Sequence, residues 1–506
     1  MRQRVSVLSA PFDPWDTAAP SRRVAKRLLV DQGSRDAPVE LKPTATATRK
    51  PVEESCYWLA RSPREAAPPL RGRRDVDVAI VGGGLTGLWT ALHLRRLDPG
   101  FEVVVLEQQT VGYGGSGRNA GMLSETIDHS HELAVAHFGE REAARLAALG
   151  RDNVAEMLAF LDERGIDCDV ERTGLLTVAL LPSQLPHLRA ALECAHGLGM
   201  THHRLLDAAE VRAEIHCARY QGALLDPNAA ILDPVRLAQG LEREATRAGC
   251  AVHERTRVTG FEPAGAGVRV VTDDGEVVAR RAVLAANAWS HLLLPGLRHR
   301  FIPLYDYVIA SEPLSEAQRE VVGWRGRQGV TDARSFFKYY RLTADDRVVW
   351  GTSEAAYYRG NDVDPTRDHS EPHYRSLCAS FVRHFPALAG LEFPYAWGGP
   401  IDATTRFTPF FGTALGGRVL YGLGFTGHGL GTTHLAGKVL AHLVLERTSD
   451  LLRLELVRRK PLPYPPEPLR SLAVRAVTRA LRRVDAGARP GLLLRVLDAL
   501  GIGLSS

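Results

Sequence analysis

A glycine turn between a strand and a helix constrains this chain more than any other feature of its sequence. Residues 76–81 are mostly apolar, as expected for a strand that is buried on both faces. The turn at residues 82–87 follows at once, and residues 85–94 carry apolar side chains at helical spacing. A second apolar run at residues 102–106 ends at Glu107. This order predicts a βαβ unit with two parallel strands.

The positions of the glycines in the turn predict a dinucleotide site. Gly82 allows a tight turn, Gly84 lets the backbone approach a pyrophosphate, and Gly87 lets the helix pack on the strand. The helix N-terminus supplies free N–H groups to the phosphates. Glu107, at the end of the second strand, suits a ribose hydroxyl and would repel a 2′-phosphate. The pattern does not distinguish FAD from NAD.

Two further glycine-rich loops bear on the cofactor. Residues 114–121 include Ser116, Arg118 and Asn119, so they can form a polar loop that wraps a diphosphate; a flexible surface loop is the alternative. Residues 421–431 contain another G-x-G-x-x-G between an apolar run and a helical pattern. Two interpretations of this loop remain open: a second nucleotide site, or a loop that stabilises negative charge on a reduced flavin ring.

Composition excludes several classes of protein. The formal net charge of +5 is small for 506 residues, which argues against nucleic-acid binding. The six cysteines are scattered and none has zinc-site spacing to another Cys or His, so we expect reduced thiols and no metal. We see neither a signal peptide nor an apolar run of ~20 residues that would span a membrane. These features predict a cytoplasmic protein.

Hydrophobic periodicity predicts the organisation of the chain. Residues 183–215 have a helical pattern, residues 251–257 a strand, and residues 268–272 with 276–280 a hairpin that precedes a separate strand at 282–286. Residues 301–395 are rich in β-formers and aromatics, which favours an antiparallel sheet. We therefore expect a Rossmann-type α/β domain at residues 55–170, 226–295 and 396–450, interrupted by a substrate domain at 171–225 and 296–395, with a poorly ordered extension at 1–54 and a tail at 451–506.

The glycine turn, together with three later motifs, resembles one family of flavoenzymes. The turn with Glu107, the loop at residues 115–121, residues 397–399 and residues 424–431 are similar to the D-amino-acid oxidase/glycine oxidase superfamily. Within it, the chain most resembles the γ-glutamylputrescine oxidase-like branch. The resemblance covers roughly residues 56–450.

The resemblance implies an extended FAD and assigns residues to each part of it. The diphosphate is held at the glycine turn, the adenosine ribose at the end of the second strand, and the flavin between the two later loops. The implied cofactor residues are Gly82, Gly84, Leu85, Thr86, Gly87, Glu107, Ser116, Arg118, Asn119, Ala120, Val258, Gly399, Gly427, His428, Gly429 and Leu430.

Two departures from the family pattern refine the prediction. Amino-acid oxidases of the family carry an arginine two residues after the position of Gly399, where it clamps the substrate carboxylate; this chain has Ile401 there. The change favours an amine over an amino acid, although Arg341 or Arg406 could supply a carboxylate partner. Relatives that attach flavin covalently use a Cys near Gly399 or a His at the position of Arg118. Both are missing, so non-covalent FAD is expected.

Aromatic side chains and one histidine are the candidates for catalytic contacts. Tyr307 and Tyr340, with Tyr305 and Tyr339, could form a cage around a cationic amine. Ordinary packing in the sheet is the alternative. His428 could influence flavin reoxidation or substrate ionisation, or serve a structural role.

The expected function is FAD-dependent oxidation of a C–N bond in a polyamine or acylated-polyamine-like amine. The imine would be hydrolysed to an aldehyde, and the electrons would pass to oxygen. The alternatives are a dehydrogenase of amino acids or N-methyl amines that uses another acceptor, and a flavin-binding protein without turnover. Basic amphipathic helices predicted near residues 469–483 and 492–500 suggest docking on the protein body or, less commonly, contact with a membrane surface.

Overall fold

A computed structural model describes residues 50–127, 129–499 and 502 of this chain. The extension predicted at residues 1–54 lies outside the described residues as far as residue 49. Its last residues differ from the prediction, because a short helix spans Val52–Ser55 and Val52 is only 4% exposed. Val52 packs in one cluster with Tyr57 and Trp58, so the packed chain begins before residue 54.

Eighteen strands occur in the described part of the chain. In chain order they are β1 (Gly72–Val81), β2 (Val103–Leu106), β3 (Met122–Leu123), β4 (Leu175–Ala179), β5 (Arg204–Leu206), β6 (Gly222–Asp226), β7 (Ala230–Ile231), β8 (Ala251–His253), β9 (Val258–Ala264), β10 (Gly267–Thr272), β11 (Gly275–Leu284), β12 (Ile302–Pro313), β13 (Gly329–Asp332), β14 (Lys338–Leu342), β15 (Arg347–Ala356), β16 (Tyr395–Ala403), β17 (Phe410–Ala414) and β18 (Val419–Leu423).

Helices connect and cover these strands. The α-helices are α1 (Val52–Ser55), α2 (Tyr57–Arg61), α3 (Leu85–Leu97), α4 (Gly115–Arg118), α5 (His131–Phe138), α6 (Glu140–Arg164), α7 (Leu185–Gly197), α8 (Ala208–Glu214), α9 (Pro234–Arg247), α10 (Ser290–Leu293), α11 (Glu316–Val322), α12 (Glu371–His384), α13 (Gly429–Val444), α14 (Glu455–Arg458), α15 (Leu469–Asp485) and α16 (Leu492–Ala499).

The first sheet has a parallel centre in the order β18-β11-β1-β2-β8, with β17 antiparallel at one edge and the β9-β10 hairpin attached to β11. All four residues of β2 are buried, which explains its continuous valine-rich run. Helix α3 follows β1, and Gly437 of α13 lies so close to Trp89 that a Cβ on it would be 2.7 Å from the Trp89 Cβ. The predicted Rossmann-type unit is therefore present.

The second sheet is almost entirely antiparallel, in the order β16-β12-β15-β14-β13-β4-β6-β5, with only β13 and β4 parallel. One face packs against α12, in an aromatic cluster that includes Trp350, Tyr374 and Phe381. The opposite face looks toward the first sheet. The predicted interruption of an α/β domain by an antiparallel sheet is confirmed.

Several boundaries differ from the predictions. Strand β16 belongs to the second sheet, although residues 396–450 were assigned to the nucleotide domain; its pairing with β12 fixes this. The sequence predicts a hairpin strand at 276–280 and a separate strand at 282–286, but residues 275–284 form one strand, β11, because β1 pairs along its whole length and β10 pairs with residues 276–279. The predicted strand at 251–257 ends at His253. The helical pattern at 183–215 contains β5, which pairs with β6.

Candidate functional site

A cavity of about 1260 Å³ lies between the two sheets. Its lining includes Val81, Leu106 and Ala285, which stand at the carboxyl ends of the parallel strands β1, β2 and β11. Open α/β sheets bind ligands at this edge. The volume exceeds the ~300–1,000 Å³ of ordinary small-ligand pockets, so the cavity can hold a dinucleotide together with a substrate.

The glycine turn forms a backbone wall in which no side chain fits. Gly82 has a φ of +114°, and a Cβ there would lie 2.5 Å from the Ala285 carbonyl oxygen. A Cβ on Gly84 would lie 2.8 Å from the Ser116 hydroxyl, and one on Gly87 would lie 2.1 Å from the Gly82 oxygen. Gly84 and Gly82 line the cavity, whereas Gly87 serves the close packing of α3 on β1.

The N-terminus of α3 opens on the cavity without a side-chain cap. The N–H groups of a first helical turn have no partner within the helix and carry partial positive charge. Among the described side chains, the Ser116 hydroxyl alone accepts from this turn, and it takes the Leu85 N–H at 2.9 Å. This arrangement suits a phosphate.

Glu107 presents an acceptor where a ribose hydroxyl would need one. One carboxylate oxygen accepts the Gly83 N–H at 2.7 Å, and the other accepts the Gln109 N–H at 2.9 Å. Burial raises the pKa of this carboxyl, and the two N–H groups oppose that rise. Each oxygen has a second lone pair, so the fixed carboxylate can also accept from a ligand hydroxyl.

The loop at residues 114–121 is ordered by its own polar side chains. Arg118 bonds Asp368 at 2.8 Å, the Gly398 carbonyl at 3.0 Å and the Tyr113 carbonyl at 2.8 Å. Its Nη2 is buried and has no hydrogen-bond partner among the described residues. The side-chain amide of Asn119 donates to the Gly115 and Ser116 carbonyls and accepts the Gly121 N–H, all within the loop. Arg118 therefore lines the cavity in a fixed position with one donor unused.

The third glycine loop opens on the same cavity as the first. Gly427, His428, Gly429 and Leu430 all line it, and the N-terminus of α13 lacks a side-chain cap. Its common cavity with the glycine turn favours the interpretation that this loop serves the flavin ring rather than a second nucleotide. Asp402, which the sequence did not single out, accepts the Phe425 N–H at 3.1 Å and so holds the loop in place.

Nearly all residues predicted to bind the cofactor meet in this cavity. Gly87 is the exception. The predicted residues that line it are Gly82, Gly84, Leu85, Thr86, Glu107, Ser116, Arg118, Asn119, Ala120, Val258, Gly399, Gly427, His428, Gly429 and Leu430.

Two of the three candidate catalytic side chains lie elsewhere. Tyr307 stacks on His373 with ring centroids 4.4 Å apart, and Tyr340 stacks on Trp350 at 4.0 Å. Both are fully buried in the cluster that faces α12, and neither lines the cavity. The geometry therefore corrects these two predictions. The cause is strand alternation, since successive side chains point to opposite faces of a sheet.

The alternation places different residues at the cavity. Leu304, Asp306 and Val308 of β12 line it, whereas Tyr305 and Tyr307 between them face α12. On β14 the neighbour of Tyr340, Tyr339, lines the cavity. The period-two pattern of these strands was the signal that could have separated the two sets.

His428 lines the cavity, as predicted, beside a histidine that was not predicted. The ring of His129 lies 4.2 Å from that of His428, measured between centroids. Burial lowers the pKa of His129 to about 4, so this ring is neutral, and its Nε2 lies 3.1 Å from the Thr426 carbonyl oxygen. The pair forms part of the wall next to the third glycine loop.

The two arginines considered as carboxylate partners are engaged within the protein. Arg341 is fully buried and donates to the carbonyls of Gly121 and Leu232. Arg406 donates to the Pro409 and Leu456 carbonyls. Neither lines the cavity, so neither can clamp a carboxylate there.

The cavity fits an FAD molecule on three observations: a glycine wall that a Cβ would fill, an uncapped helix N-terminus, and an unused buried donor on Arg118. The tail closes its other side, because α15 contributes Ala473, Val477 and Leu481 to the lining. Within residues 50–127 and 129–499, no helix is both long and apolar enough to cross a membrane.

Comparison with known proteins agrees with this geometry. A protein-family model described as "FAD dependent oxidoreductase" (DAO) matches residues 77–443. The γ-glutamylputrescine oxidoreductase of Escherichia coli strain K12 is 34% identical over 398 residues, which cover 78% of this chain and 89% of that protein. A glycine oxidase of Pseudomonas aeruginosa is 27% identical, covering 77% of this chain and 98% of that one.

Solved structures share the fold. Glycine oxidase from Geobacillus kaustophilus superposes with a TM-score of 0.64 at 22% identity, over 76% of this chain and 99% of that one. L-proline dehydrogenase from P. horikoshii gives a TM-score of 0.62 at 20% identity, over 76% and 96%. The family match spans well over half of the sequence. This chain therefore belongs to the DAO family of FAD-dependent oxidoreductases.

Proposed function

We propose that this protein oxidises a C–N bond of a polyamine or an acylated-polyamine-like amine and passes the electrons to oxygen. The observation that carries the proposal is a carboxylate, Asp306, in the cavity wall formed by the second sheet. Its Oδ1 is buried and has no hydrogen-bond partner among the described residues. Burial raises the pKa of Asp306 to about 7. A positively charged nitrogen would supply the missing partner.

No cation among the described residues neutralises Asp306 by direct contact. Lys338 is the basic group that acts on it electrostatically, yet its ammonium donates to the Thr352 hydroxyl at 2.6 Å and lies 3.9 Å from a Glu354 oxygen. The register of the sheet sets Asp306 opposite Gly399, a position implied in flavin binding. Asp306 therefore offers a negative charge next to the expected flavin region.

Aromatic rings surround the same wall. Tyr339, Phe336, Phe337, Trp397 and Phe407 line the cavity. Gly351 makes room for one of them, since a Cβ there would lie 2.1 Å from the Tyr339 ring. Aromatic faces attract a cationic nitrogen and accommodate methylene chains. The combination suits an alkyl amine that carries a second polar or charged group.

An α-amino acid fits the cavity less well because the arginine donor that is unused on the described lining, the Arg118 Nη2, is already assigned to FAD. Of the described residues, three arginines line the cavity. Arg118 pairs with Asp368, Arg257 pairs with Asp273, and Arg470 bonds the Asn361 side chain at 2.7 Å. Ile401 also lines the cavity, at the position where amino-acid oxidases carry their clamp.

The residues of the cavity bind and orient the substrate. Acceptance of a hydride is the chemistry that FAD supplies when it is bound here. Asp306 holds one charged nitrogen, while the apolar wall favours the neutral form of the reacting nitrogen, whose lone pair can then assist the loss of hydride. In the overall reaction the amine loses two electrons and two protons to oxygen, which gives an imine and hydrogen peroxide. Water hydrolyses the imine to an aldehyde and ammonia or a smaller amine.

An anaerobic reduction screen tests the proposal. The holoprotein is mixed with polyamines, acylated polyamines, N-methyl amines and D-amino acids, and loss of flavin absorbance is followed. We expect fast loss with the first two classes and stoichiometric peroxide after oxygen is admitted. Fast loss only with D-amino acids would contradict the substrate, and turnover with a dye but no peroxide would identify a dehydrogenase. No reduction by any class would favour a flavin-binding protein.

Non-covalent attachment of FAD is part of the same proposal. None of the six cysteines of the chain lines the cavity. Denaturation with acid should release the flavin into the supernatant. Flavin that precipitates with the chain would show a covalent bond, for which His129 and His428 are the first candidates on the lining.

A further inference from the structure

Four side chains with metal-ligand chemistry meet at the edge of the second sheet. Glu125 follows β3, His202 and His203 lie in the turn between α7 and β5, and Asp226 ends β6. The candidate ligand atoms of all four lie within 4.8 Å of one another. We propose that Glu125, His202, His203 and Asp226 bind one divalent transition-metal ion, for which Zn²⁺ is the best match.

The spacing of the nitrogens and oxygens is close to that of a tetrahedral site. Zinc bonds of about 2.0–2.1 Å require ligand atoms about 3.4 Å apart. The Asp226 Oδ1 lies 3.7 Å from the His203 Nε2 and 3.9 Å from the His202 Nε2. The His202 Nε2 lies 2.6 Å from the Glu125 Oε2, so this pair must open to admit an ion.

Hydrogen bonds among the described residues do not account for the burial of the His203 ring. It is 8% exposed, and neither ring nitrogen has a hydrogen-bond partner among the described residues. A buried imidazole with both nitrogens unbonded is costly, because each polar atom has lost its water. Coordination of the Nε2 would remove part of that cost.

The carboxylates are held from outside the cluster, as ligands usually are. Asn228 donates its side-chain amide to the Glu125 Oε1 at 3.1 Å and its backbone N–H to the Asp226 Oδ1 at 3.0 Å. The backbone of Glu125 is pressed against α6, where a Cβ on Gly150 would lie 1.8 Å from its carbonyl oxygen. Such outer contacts orient metal ligands and raise affinity.

Charge and ligand type select the ion. Two carboxylates and two neutral imidazoles balance a divalent cation, and mixed nitrogen and oxygen ligands suit zinc better than calcium or magnesium. Four protein ligands leave no open position, which is typical of structural sites. The ion would tie the segment that contains Ser124 and Thr126, both on the cavity lining, to the edge strands of the second sheet.

Zinc titration of the full-length holoprotein, without a polyhistidine tag, tests the site. The protein is stripped with a chelator and titrated with Zn²⁺ against a chromophoric competitor, with flavin absorbance as the measure of an intact fold. We expect one tight equivalent per chain and a higher melting temperature with zinc. His203→Gln should weaken this binding at least ~100-fold. His187→Gln, at an exposed position of α7, is the matched control and should bind zinc as the wild type does.

Asp226→Asn provides a second variant of almost unchanged shape, in case His203→Gln does not fold. It should also lose the tight equivalent. Absence of a tight equivalent in the wild type, or its retention in both ligand variants, would overturn the proposal. The cluster would then be no more than a hydrogen-bonded contact between Glu125 and His202.

Discussion

The two walls of the cavity are built from different material. One wall is largely backbone: the turn at residues 82–87 exposes N–H groups where a Cβ on Gly82 or Gly84 would clash, and the loop at residues 424–431 adds the uncapped N-terminus of α13. The other wall is side chains, supplied by β12, β14 and β16 and covered by α15. A backbone wall recognises what all members of a family share, such as phosphate and ribose. A side-chain wall can change with the substrate while the first wall stays constant.

The largest expected effect is on the backbone wall, from Gly82→Ala. The new Cβ would meet the Ala285 oxygen at 2.5 Å, and a φ of +114° is strained for any residue with a side chain. We expect FAD affinity to fall about 100-fold, measured as the ratio of flavin to protein absorbance after gel filtration. Gly260→Ala, where a Cβ has no neighbour within 4 Å, should keep its flavin. A fully loaded Gly82→Ala protein would show that the turn tolerates a side chain.

Asp306→Asn should affect the side-chain wall alone. A charge-assisted hydrogen bond contributes ~1.5–3 kcal/mol, so KM for a polyamine should rise about 10- to 100-fold while FAD content stays unchanged. Asp152→Asn, on the exposed side of α6, is the control. An unchanged KM would separate Asp306 from substrate binding.

The pH dependence of KM should distinguish charge from shape at the same residue. Burial raises the pKa of Asp306 to about 7, so the carboxyl is ionised above that pH and protonated below it. The advantage of the wild type over Asp306→Asn should therefore be complete at about pH 8 and fall about tenfold by about pH 6. Steady-state KM for both proteins gives this ratio. A ratio that does not vary with pH would mean that Asp306 is not titrating in this range.

Leu481→Ala should have the smallest effect, because it shortens one apolar side chain of the helix that covers the cavity and removes no charge. Leu481 of α15 lines the cavity, and loss of its contact with an alkyl chain should cost about 1 kcal/mol, or about fivefold in KM. Leu472→Ala lies on the same helix at a side chain that is 58% exposed and should have no effect. Equal KM values for the two variants would place the substrate away from α15.

The backbone wall was easier to predict from the sequence than the side-chain wall. The residues of the glycine turn, Glu107 and the later loops were all accessible from local patterns, because a strand, a turn and a helix N-terminus are consecutive in the chain. Asp306 was not. The aromatic pattern predicts that its neighbours Tyr305 and Tyr307 contact the substrate. The pleat of β12 instead turns both toward α12 and leaves Asp306 facing the cavity.

Local patterns also failed wherever partners come from distant segments. The sequence of residues 395–403 is compatible with a strand in either sheet, and its pairing with β12 decides between them. The cluster of Glu125, His202, His203 and Asp226 has no recognisable spacing, because three separate segments supply it. Asp402 cannot be told from the other acids of the sequence until the loop whose Phe425 N–H donates to its carboxylate is folded against it.

The amino-acid sequence alone was thus enough to predict a βαβ unit, a dinucleotide carrying a free ribose hydroxyl, and an interrupting antiparallel sheet. These depend on short-range steric rules for glycine and on hydrophobic periodicity. Which face of each strand of the second sheet meets the cavity required the folded chain, and so did the engagement of Arg341 and Arg406 with backbone carbonyls. Those features depend on pairing register and on contacts between residues far apart in the chain, which no local pattern encodes.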